Sequence, residues 1–218
     1  MKELFIRHKK TLIISSILIL LPILFGVALW DRLPDPMPTH FDANGVPNGY
    51  SSKPFAVFGL PLFLLAMQWA CLIATGADPK RRNVNPKVLT LMFWLVPAIG
   101  LIAMGATYAM ALGMDVNITQ ILYPFLSLVF ILVGNYLPKC RQSYTMGIKL
   151  PWTLADEDNW NKTHRTAGPL WMICGLVTLV CPFLPGDIAK IVLFTALFTA
   201  ILVPTIYSFL LAKKKGQI

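Results

Sequence analysis

The long apolar stretches of this sequence lack charged side chains in their interiors, and they make up more than half of the 218 residues. A helix needs about 20 apolar residues to cross a hydrocarbon core of about 30 Å, so such stretches predict membrane spans. Ion pathways, proton relays and voltage sensors usually place ionisable residues inside their spans, so these function classes are disfavoured. The six stretches are Thr11 to Trp30, Phe55 to Thr75, Val88 to Leu112, Ile118 to Tyr136, Pro169 to Leu184 and Ile188 to Leu211.

Charged residues are scarce, at 13% of the chain against 56% hydrophobic residues, which excludes a single soluble domain and a nucleic-acid binder. The net charge is +9, and 16 of the 19 basic residues lie in the termini and in alternate segments between the spans. The other three are Arg32, Lys53 and Lys190, whereas Asp and Glu divide evenly between the two sets of segments. Because Lys and Arg mark cytoplasmic segments, this asymmetry predicts six spans with both termini in the cytoplasm.

Cysteine and histidine are also few. None of the four cysteines falls in a segment predicted to face outside, so no disulfide framework is expected. His40 and His164 are predicted on opposite sides of a hydrocarbon core of about 30 Å, which removes the simplest enzyme with both histidines in one site. Neither has a nucleophile or a metal-ligand set beside it in the sequence. We therefore predict no catalytic residue, no metal and no cofactor, and a protein that is not an enzyme.

Two loops are longer than the 12 to 15 residues or so that an unstructured connection normally has. They cover residues 31–54, predicted to be extracellular, and residues 137–168, predicted to be cytoplasmic. The predicted fold class is an all-α integral membrane protein with six transmembrane helices, a structured extracellular loop and an interfacial cytoplasmic helix.

The extracellular loop begins with three prolines in five residues, which favours an extended entry. Asp42 to Gly45 and Pro47 to Gly49 are turn sequences, since Asn and Gly tolerate positive φ. They predict a short strand from Thr39 to Asp42 and a second strand that begins at Tyr50. Two interpretations stay open for this loop. It is either a compact cap on the helix ends, or a metal or ligand site that uses His40, Asp42 and Asn44.

The cytoplasmic loop contains a helix signal. Thr153 followed by Asp156 is a variant of the capping box, and acidic residues then occupy the first turn. The pattern predicts a helix from about Leu154 to Ala167 on the inner membrane surface. Trp160 and His164 are four residues apart and share one face of this helix, so we expect them to pack toward the bundle or the headgroups.

The two loops carry motifs. The first runs Leu33-Pro34-Asp35, Pro38-Thr39-His40-Phe41, Gly45-x-Pro47-x-Gly49-Tyr50 and Lys53. The second runs Gly147-Ile148-Lys149-Leu150-Pro151-Trp152-Thr153-Leu154, then Trp160-Asn161-Lys162-Thr163-His164-Arg165-x-x-Gly168. The first resembles DUF1648 and the second resembles the signature of the SdpI family, with departures at Asn48, Ser143, Lys149 and Leu150. The resemblance divides the chain into a two-span DUF1648-like region, residues 1–87, and a four-span SdpI-like region, residues 88–218.

The resemblance implies a multi-pass immunity protein of the bacterial cell membrane that protects against a secreted membrane-active peptide toxin. It also implies a second role as a signal transducer that sequesters a winged-helix repressor. The implied partners are the toxin outside, the cytosolic transcriptional repressor inside and membrane lipids, without direct contact to nucleic acid. The alternative is a small-molecule or lipid transporter, or an accessory subunit of one.

The resemblance also implies two sets of site residues, one in each long loop. The extracellular toxin-facing motif consists of Pro38, His40, Phe41, Asp42, Gly45 and Tyr50. The cytoplasmic partner-facing motif consists of Gly147, Lys149, Pro151, Trp152, Trp160, His164 and Arg165.

Overall fold

Helices dominate the computed structural model of the protein, which describes Ile6 and residues 8–42 and 44–217. Within these residues, six helical segments are long and apolar enough to cross a membrane. They confirm the predicted all-α membrane fold with six spans. The segments are Lys9–Ala28, Phe55–Ala77, Pro86–Ala111, Ile118–Lys139, Glu157–Phe183 and Gly186–Lys214.

Five of the long α-helices have one proline in their interior, namely Pro22, Pro97, Pro124, Pro169 and Pro204, and membrane helices tolerate such prolines better than soluble ones. The second span begins with a π-helical segment, Phe55–Gly59, which leads directly into an α-helix. The helices are α1 (Lys9–Ala28), α2 (Leu60–Ala77), α3 (Pro86–Ala111), α4 (Ile118–Tyr136), α5 (Pro151–Ala155), α6 (Glu157–Thr178) and α7 (Gly186–Lys214). The strands are β1 (Met37–Phe41) and β2 (Pro47–Ser51). Short 3-10 turns lie at Trp30–Arg32, Arg81–Asn83, Leu137–Lys139 and Cys181–Phe183.

The chain packs into two compact units. The first contains Met1–Ala77 and Leu89–Ile118, and the second contains Asp78–Val88 and Thr119–Ile218. The division at residues 87 and 88 that the motifs suggest stays a prediction. The hairpin loop belongs to the first unit, and the loop that follows α4 belongs to the second.

The core of the first unit joins the hairpin to the helices. Leu33 and Met37 are buried at the start of the hairpin and pack in one apolar cluster with Val57, Met104 and Tyr108. The hydroxyl of Tyr108 donates to the carbonyl oxygen of Pro22 at 2.9 Å, which satisfies a polar atom inside the cluster. The hairpin is therefore anchored by its own apolar residues.

Gln68 is a strongly polar side chain in the middle of the second span. It is buried in α2, and its Nε2 donates to Ser15 Oγ in α1 at 2.8 Å. Ser15 Oγ in turn donates to the carbonyl oxygen of Leu12 at 3.1 Å. This chain of hydrogen bonds joins two neighbouring spans of the first unit through side chains that lipid could not solvate.

The core of the second unit brings α4, α6 and α7 together. Phe130, Cys174 and Ala200 lie in one apolar cluster, and Trp171 Nε1 donates to the carbonyl oxygen of Ala200 at 2.8 Å. Small residues allow close backbone approach, since a Cβ on Gly134 would lie 2.7 Å from the carbonyl oxygen of Gly168. These contacts fix the helix that carries the second motif.

Candidate functional sites

The hairpin that carries the first motif is antiparallel. Strands Met37–Phe41 and Pro47–Ser51 pair with irregular register on both sides of His40. The predicted turn at Asp42 to Gly45 joins the strands, and Gly45 has a φ of 80°. The prediction of a second turn at Pro47 to Gly49 is wrong, because these residues lie within β2. Gly49 is needed for close approach of the strands, since a Cβ there would lie 2.8 Å from His40 Cβ.

The polar side chains of the hairpin hold its shape. One carboxylate oxygen of Asp42 accepts from the backbone N–H groups of Asn44 and Val46, each at 2.9 Å. His40 Nδ1 lies 2.5 Å from Asn48 Oδ1 across the strands. Within the described residues, no group of three or more His, Cys, Asp or Glu could hold a metal ion. The arrangement favours the interpretation of the loop as a compact cap.

The surface of the hairpin offers aromatic and apolar side chains. Tyr50 is 58% exposed, and His40 is also exposed, whereas Pro38 and Gly45 are buried and Phe41 and Asp42 are half-buried. Beside Tyr50 lies a groove of about 420 Å³. Its walls are Pro34, Pro36, Pro38, Pro47, Tyr50, Met110, Ala111, Gly113, Met114 and Asp115.

The helix at the second motif differs from the sequence prediction. Thr153 is not its N-cap, because a short helix, Pro151–Ala155, ends before Asp156, which caps the next helix. That helix, Glu157–Thr178, also does not end near Ala167 but continues into the fifth span. Proline begins the short helix, and the Asp156 side chain accepts from the backbone N–H of Asp158 at 2.9 Å.

Asp156 is also bonded to the C-terminal end of α7. Lys215 Nζ lies 2.5 Å from Asp156 Oδ2 and 2.7 Å from Asp158 Oδ2. The hydrogen bond from Lys215 lowers the pKa of Asp156 to about 2, with smaller contributions from Gln217 and the capped backbone. The cap therefore stays ionised at neutral pH, as the positive end of the α6 dipole favours.

Thr153 instead ties the motif together. Its hydroxyl accepts from the backbone N–H of Leu150 at 2.9 Å and donates to the carbonyl oxygen of Ile148 at 2.8 Å. The side chain is buried, so both bonds are made away from solvent. Thr153 thus holds the backbone on both sides of Lys149, whose own side chain is exposed.

Trp160 and His164 are buried and stacked, with ring centroids 4.1 Å apart. The backbone N–H of Ile148 donates to His164 Nε2 at 2.9 Å, so that nitrogen is unprotonated. His164 Nδ1 lies 2.8 Å from the carbonyl oxygen of Trp160 and must be the donor of that bond, which assigns a neutral imidazole. Trp160 Nε1 donates to the carbonyl oxygen of Cys140 at 2.8 Å. Gly147, with a φ of 110°, lies against both rings.

A second group of bonds attaches the motif to α7. Trp152 Nε1 donates to Ser208 Oγ at 2.9 Å, and Asn159 Nδ2 donates to the carbonyl oxygen of Ser208 at 2.9 Å. Thr163 Oγ1 donates to Asn159 Oδ1 at 3.0 Å, and all four residues except Trp152 are buried. The second motif is therefore folded onto the last span, and only Lys149, Pro151 and Arg165 of its seven predicted site residues are exposed.

Asp78 was not predicted as a site residue, yet it organises the beginning of this loop. It is 2% exposed, and its Oδ2 accepts from Ser143 Oγ at 2.6 Å, from the backbone N–H groups of Tyr144 and Thr145, and from Thr145 Oγ1. Its Oδ1 accepts from the backbone N–H of Lys80 at 2.7 Å. Burial alone would raise the pKa of Asp78, but the bonds from Ser143, Lys80, Thr145 and Tyr144 hold it below 3.8.

Gln142 is the other organising residue that the sequence did not reveal. Its Nε2 donates to the carbonyl oxygens of Thr153 and Leu154 at 2.9 and 2.8 Å. Its Oε1 accepts from Lys80 Nζ, and its own carbonyl oxygen accepts from Asn83 Nδ2 at 2.9 Å. The sequence did offer a signal for Asp78, because it is a single acidic residue in an otherwise basic segment. No local sequence pattern indicates a structural role for Gln142.

Comparison with known proteins covers both motifs. Residues 139–208 match the SdpI/YfhL protein family, and residues 17–65 match DUF1648, a domain of unknown function. Immunity protein SdpI of Bacillus subtilis (strain 168) is 27% identical over 202 residues, which are 93% of this chain and 96% of that protein. No solved structure matches the chain. The two matched regions stand in the order that the motifs predict, and the chain is similar to this immunity protein over nearly its whole length.

Proposed function

We propose that this protein is a membrane immunity protein, which protects a bacterium against a secreted membrane-active peptide toxin. The observation that carries the proposal is its alignment with an immunity protein over 93% of the chain. Both motifs, residues 33–53 and 147–168, also fall within the two regions that the family models match. The proposed role requires binding and no catalysis.

The hairpin is the proposed toxin-facing element. Its backbone is held by the Asp42 turn and by the anchored Leu33 and Met37, so exposed groups are presented at little cost in conformational entropy. Tyr50 offers a large amphipathic surface beside a groove whose walls include Met110 and the exposed Met114. Exposed Tyr and Met side chains are typical of sites that bind apolar peptide segments.

We further propose that the motif after α4 faces the cytoplasm and contacts a repressor in a second, signalling role. Three membrane-spanning segments separate the two motifs along the chain, which supports their placement on opposite sides of the membrane. Lys149, Pro151 and Arg165 are the members of the motif that a soluble partner can touch. Trp160 and His164 are buried, so their part in the proposed role is to fix the shape of this surface.

The proposed topology predicts a difference in labelling between the two loops. Single cysteines at Ser52 and Ala155, both exposed positions, are introduced into a variant that lacks the four native cysteines. A membrane-impermeant thiol reagent is expected to label position 52 in intact cells, and position 155 only after the cells are opened. Labelling of position 155 alone in intact cells would reverse the orientation, and with it the assignment of the two faces.

Toxin protection is expected to depend on the exposed side chains of the hairpin. The Tyr50→Ala and His40→Ala variants should protect about 10- to 30-fold less well against the peptide toxin, as for loss of a central aromatic contact. The measurement is survival of a toxin-sensitive strain that expresses each variant across a toxin dilution series. Val46→Ala, at a neighbouring exposed position outside the predicted site, is the matched control.

A paired assay distinguishes the two proposed faces. Lys149→Ala and Arg165→Ala should leave protection intact while they reduce recruitment of the repressor to the membrane. Expression and thermal stability are measured for every variant, so that misfolded proteins are recognised. If all well-folded hairpin variants protect fully, the hairpin is not the toxin site. If the unchanged protein protects against none of the peptides tested, the transporter interpretation replaces the immunity proposal.

A further inference from the structure

Basic side chains cluster where three membrane-spanning segments end. The turn Arg81–Asn83 lies between the spans that end at Ala77 and begin at Pro86, and Arg141 follows two residues after the span that ends at Lys139. The hydrogen bond from Asn83 Nδ2 to the Gln142 carbonyl oxygen brings the two segments together. Arg81, Arg82 and Arg141 therefore lie within two residues of this contact, and all three are exposed.

The position of this arginine cluster, Arg81, Arg82 and Arg141, is fixed by buried polar contacts. Four hydrogen bonds join Asp78, which precedes the turn, to residues 143–145. Gln142 accepts from Lys80 Nζ, and that ammonium group also lies 5.6 Å from the centroid of the Tyr144 ring. The cluster is thus held on a structured support, unlike basic residues on a free tail.

The charge of the cluster is not balanced by nearby acids. In the described part of the chain, the ion pairs of this unit join Lys162 and Lys215 to Asp156 and Asp158, and none includes an arginine. Asp78 is the acid closest in sequence, but its buried carboxylate already accepts five hydrogen bonds. The three guanidinium groups are therefore available to an external anion.

We propose that the arginine cluster is a binding site for the phosphate headgroup of an anionic phospholipid. Guanidinium groups bind phosphate oxygens with two parallel hydrogen bonds, which suits them to this chemistry better than an ammonium group. Residues at the ends of spans lie at the depth of the headgroups, and basic residues there attract anionic lipids. A lipid bound here bridges the segment before α3 and the loop after α4.

The test uses the full-length protein, purified in detergent and mixed with equal amounts of phosphatidylglycerol and phosphatidylcholine. Native mass spectrometry measures the ratio of the two bound lipids. The unchanged protein is expected to retain phosphatidylglycerol preferentially, by about fivefold or more for each contributing arginine. Equal retention of the two lipids would overturn the proposal, and this measurement needs no variant to fold.

Charge-matched variants locate the site. Arg81→Gln combined with Arg82→Gln is expected to reduce phosphatidylglycerol retention about tenfold or more. Lys213→Gln combined with Lys214→Gln removes the same charge from exposed residues at the end of α7 and should leave retention unchanged. The Arg81→Lys and Arg82→Lys pair keeps the charge and should lose part of the selectivity. If the two Gln pairs lose the same amount of phosphatidylglycerol retention, the retention depends on surface charge in general and the proposed site is overturned.

Two further experiments distinguish a lipid phosphate from other anions that the cluster could bind. Inorganic phosphate at millimolar concentration should fail to displace the lipid. Complete displacement would assign the cluster to a soluble phosphate compound and overturn the lipid proposal. In the second experiment, poly-glutamate is added to the protein in phosphatidylcholine. If poly-glutamate binds while the protein shows no preference for phosphatidylglycerol, the cluster is assigned to an acidic protein partner and the lipid proposal is overturned as well.

Discussion

Replacing Asp78 by alanine is expected to lower the free energy of unfolding of the detergent-solubilised protein by about 3 to 5 kcal/mol. The carboxylate is buried and accepts five hydrogen bonds, three of which come from backbone N–H groups. Without it, those donors lose their acceptor, and each unsatisfied buried donor costs about 1 to 3 kcal/mol. The measurement is equilibrium unfolding monitored by far-UV circular dichroism.

Asp78→Asn is expected to lower the free energy of unfolding by less than Asp78→Ala does. The amide keeps one acceptor oxygen but turns a donor toward the remaining N–H groups. The control is Asp115→Ala, since Asp115 is exposed in the turn between α3 and α4. Its loss should change the unfolding free energy by less than about 0.5 kcal/mol. If the Asp78 and Asp115 variants are equally stable, the bonds around Asp78 do not organise the loop.

The same carboxylate predicts a dependence of stability on acid. The pKa of Asp78 is lower in the folded protein than its ordinary value of 3.8. Its ionised form therefore contributes stability above the unfolded pKa, and this contribution is lost as the pH falls through the folded pKa. The unchanged protein should lose stability below about pH 4, and Asp78→Ala should show a flatter curve there. Parallel curves for the two proteins would contradict this assignment.

The sequence could predict the spans because their signal is local. A run of about 20 apolar residues must form its backbone hydrogen bonds internally in lipid, whatever the rest of the chain does. The turn at Asp42 to Gly45 was predictable for the same reason, as Asp and Gly act on their immediate neighbours. The strand bounds were predicted less accurately. The residues Pro47 to Gly49 have a turn sequence, and only their pairing with β1, in which Gly49 lies opposite His40, makes them part of a strand.

The organisation of the second motif could not be predicted in this way. Asp78 and Ser143 are 65 residues apart, and neither has a local pattern that indicates the other. The helix cap was misassigned because Thr153 and Asp156 are both good capping residues. Their roles are decided by Ile148 and Leu150 on one side and by Lys215 on the other. The buried position of His164 likewise depends on Gly147 and Ile148, which precede the helix in the sequence and lie against the imidazole ring.

Gly147→Ala is expected to destabilise the protein by about 3 to 5 kcal/mol, although it adds a single methyl group. Gly147 has a φ of 110°, where a side chain is strained by about 1 to 2 kcal/mol. A Cβ there would also lie 2.5 Å from His164 Nε2 and 2.7 Å from Trp160 Cη2. Both rings are buried and stacked, so the loop must move away and break the bond from Ile148 N–H to His164.

Two other glycines separate the causes of this loss. Gly113 has a φ of 80° with no atom within 4 Å of an added Cβ, so Gly113→Ala should cost only the backbone strain of about 1 to 2 kcal/mol. Gly105 lies in α3 with neither a positive φ nor a neighbour within 4 Å. Gly105→Ala should therefore be neutral, or stabilising by up to about 1 kcal/mol. If Gly147→Ala costs no more than Gly113→Ala, the contact with the rings is unimportant.

A double-mutant cycle tests the contact between Gly147 and the imidazole directly. His164→Ala removes the ring that the new methyl group would strike, and it also removes the acceptor of the Ile148 N–H. Gly147→Ala should therefore cost about 1 to 2 kcal/mol less in the His164→Ala protein than in the unchanged protein. Thermal unfolding of the four proteins in one detergent measures this coupling. Additive losses would mean that the imidazole of His164 does not contribute to the cost, which would then come from the backbone strain and the contact with Trp160.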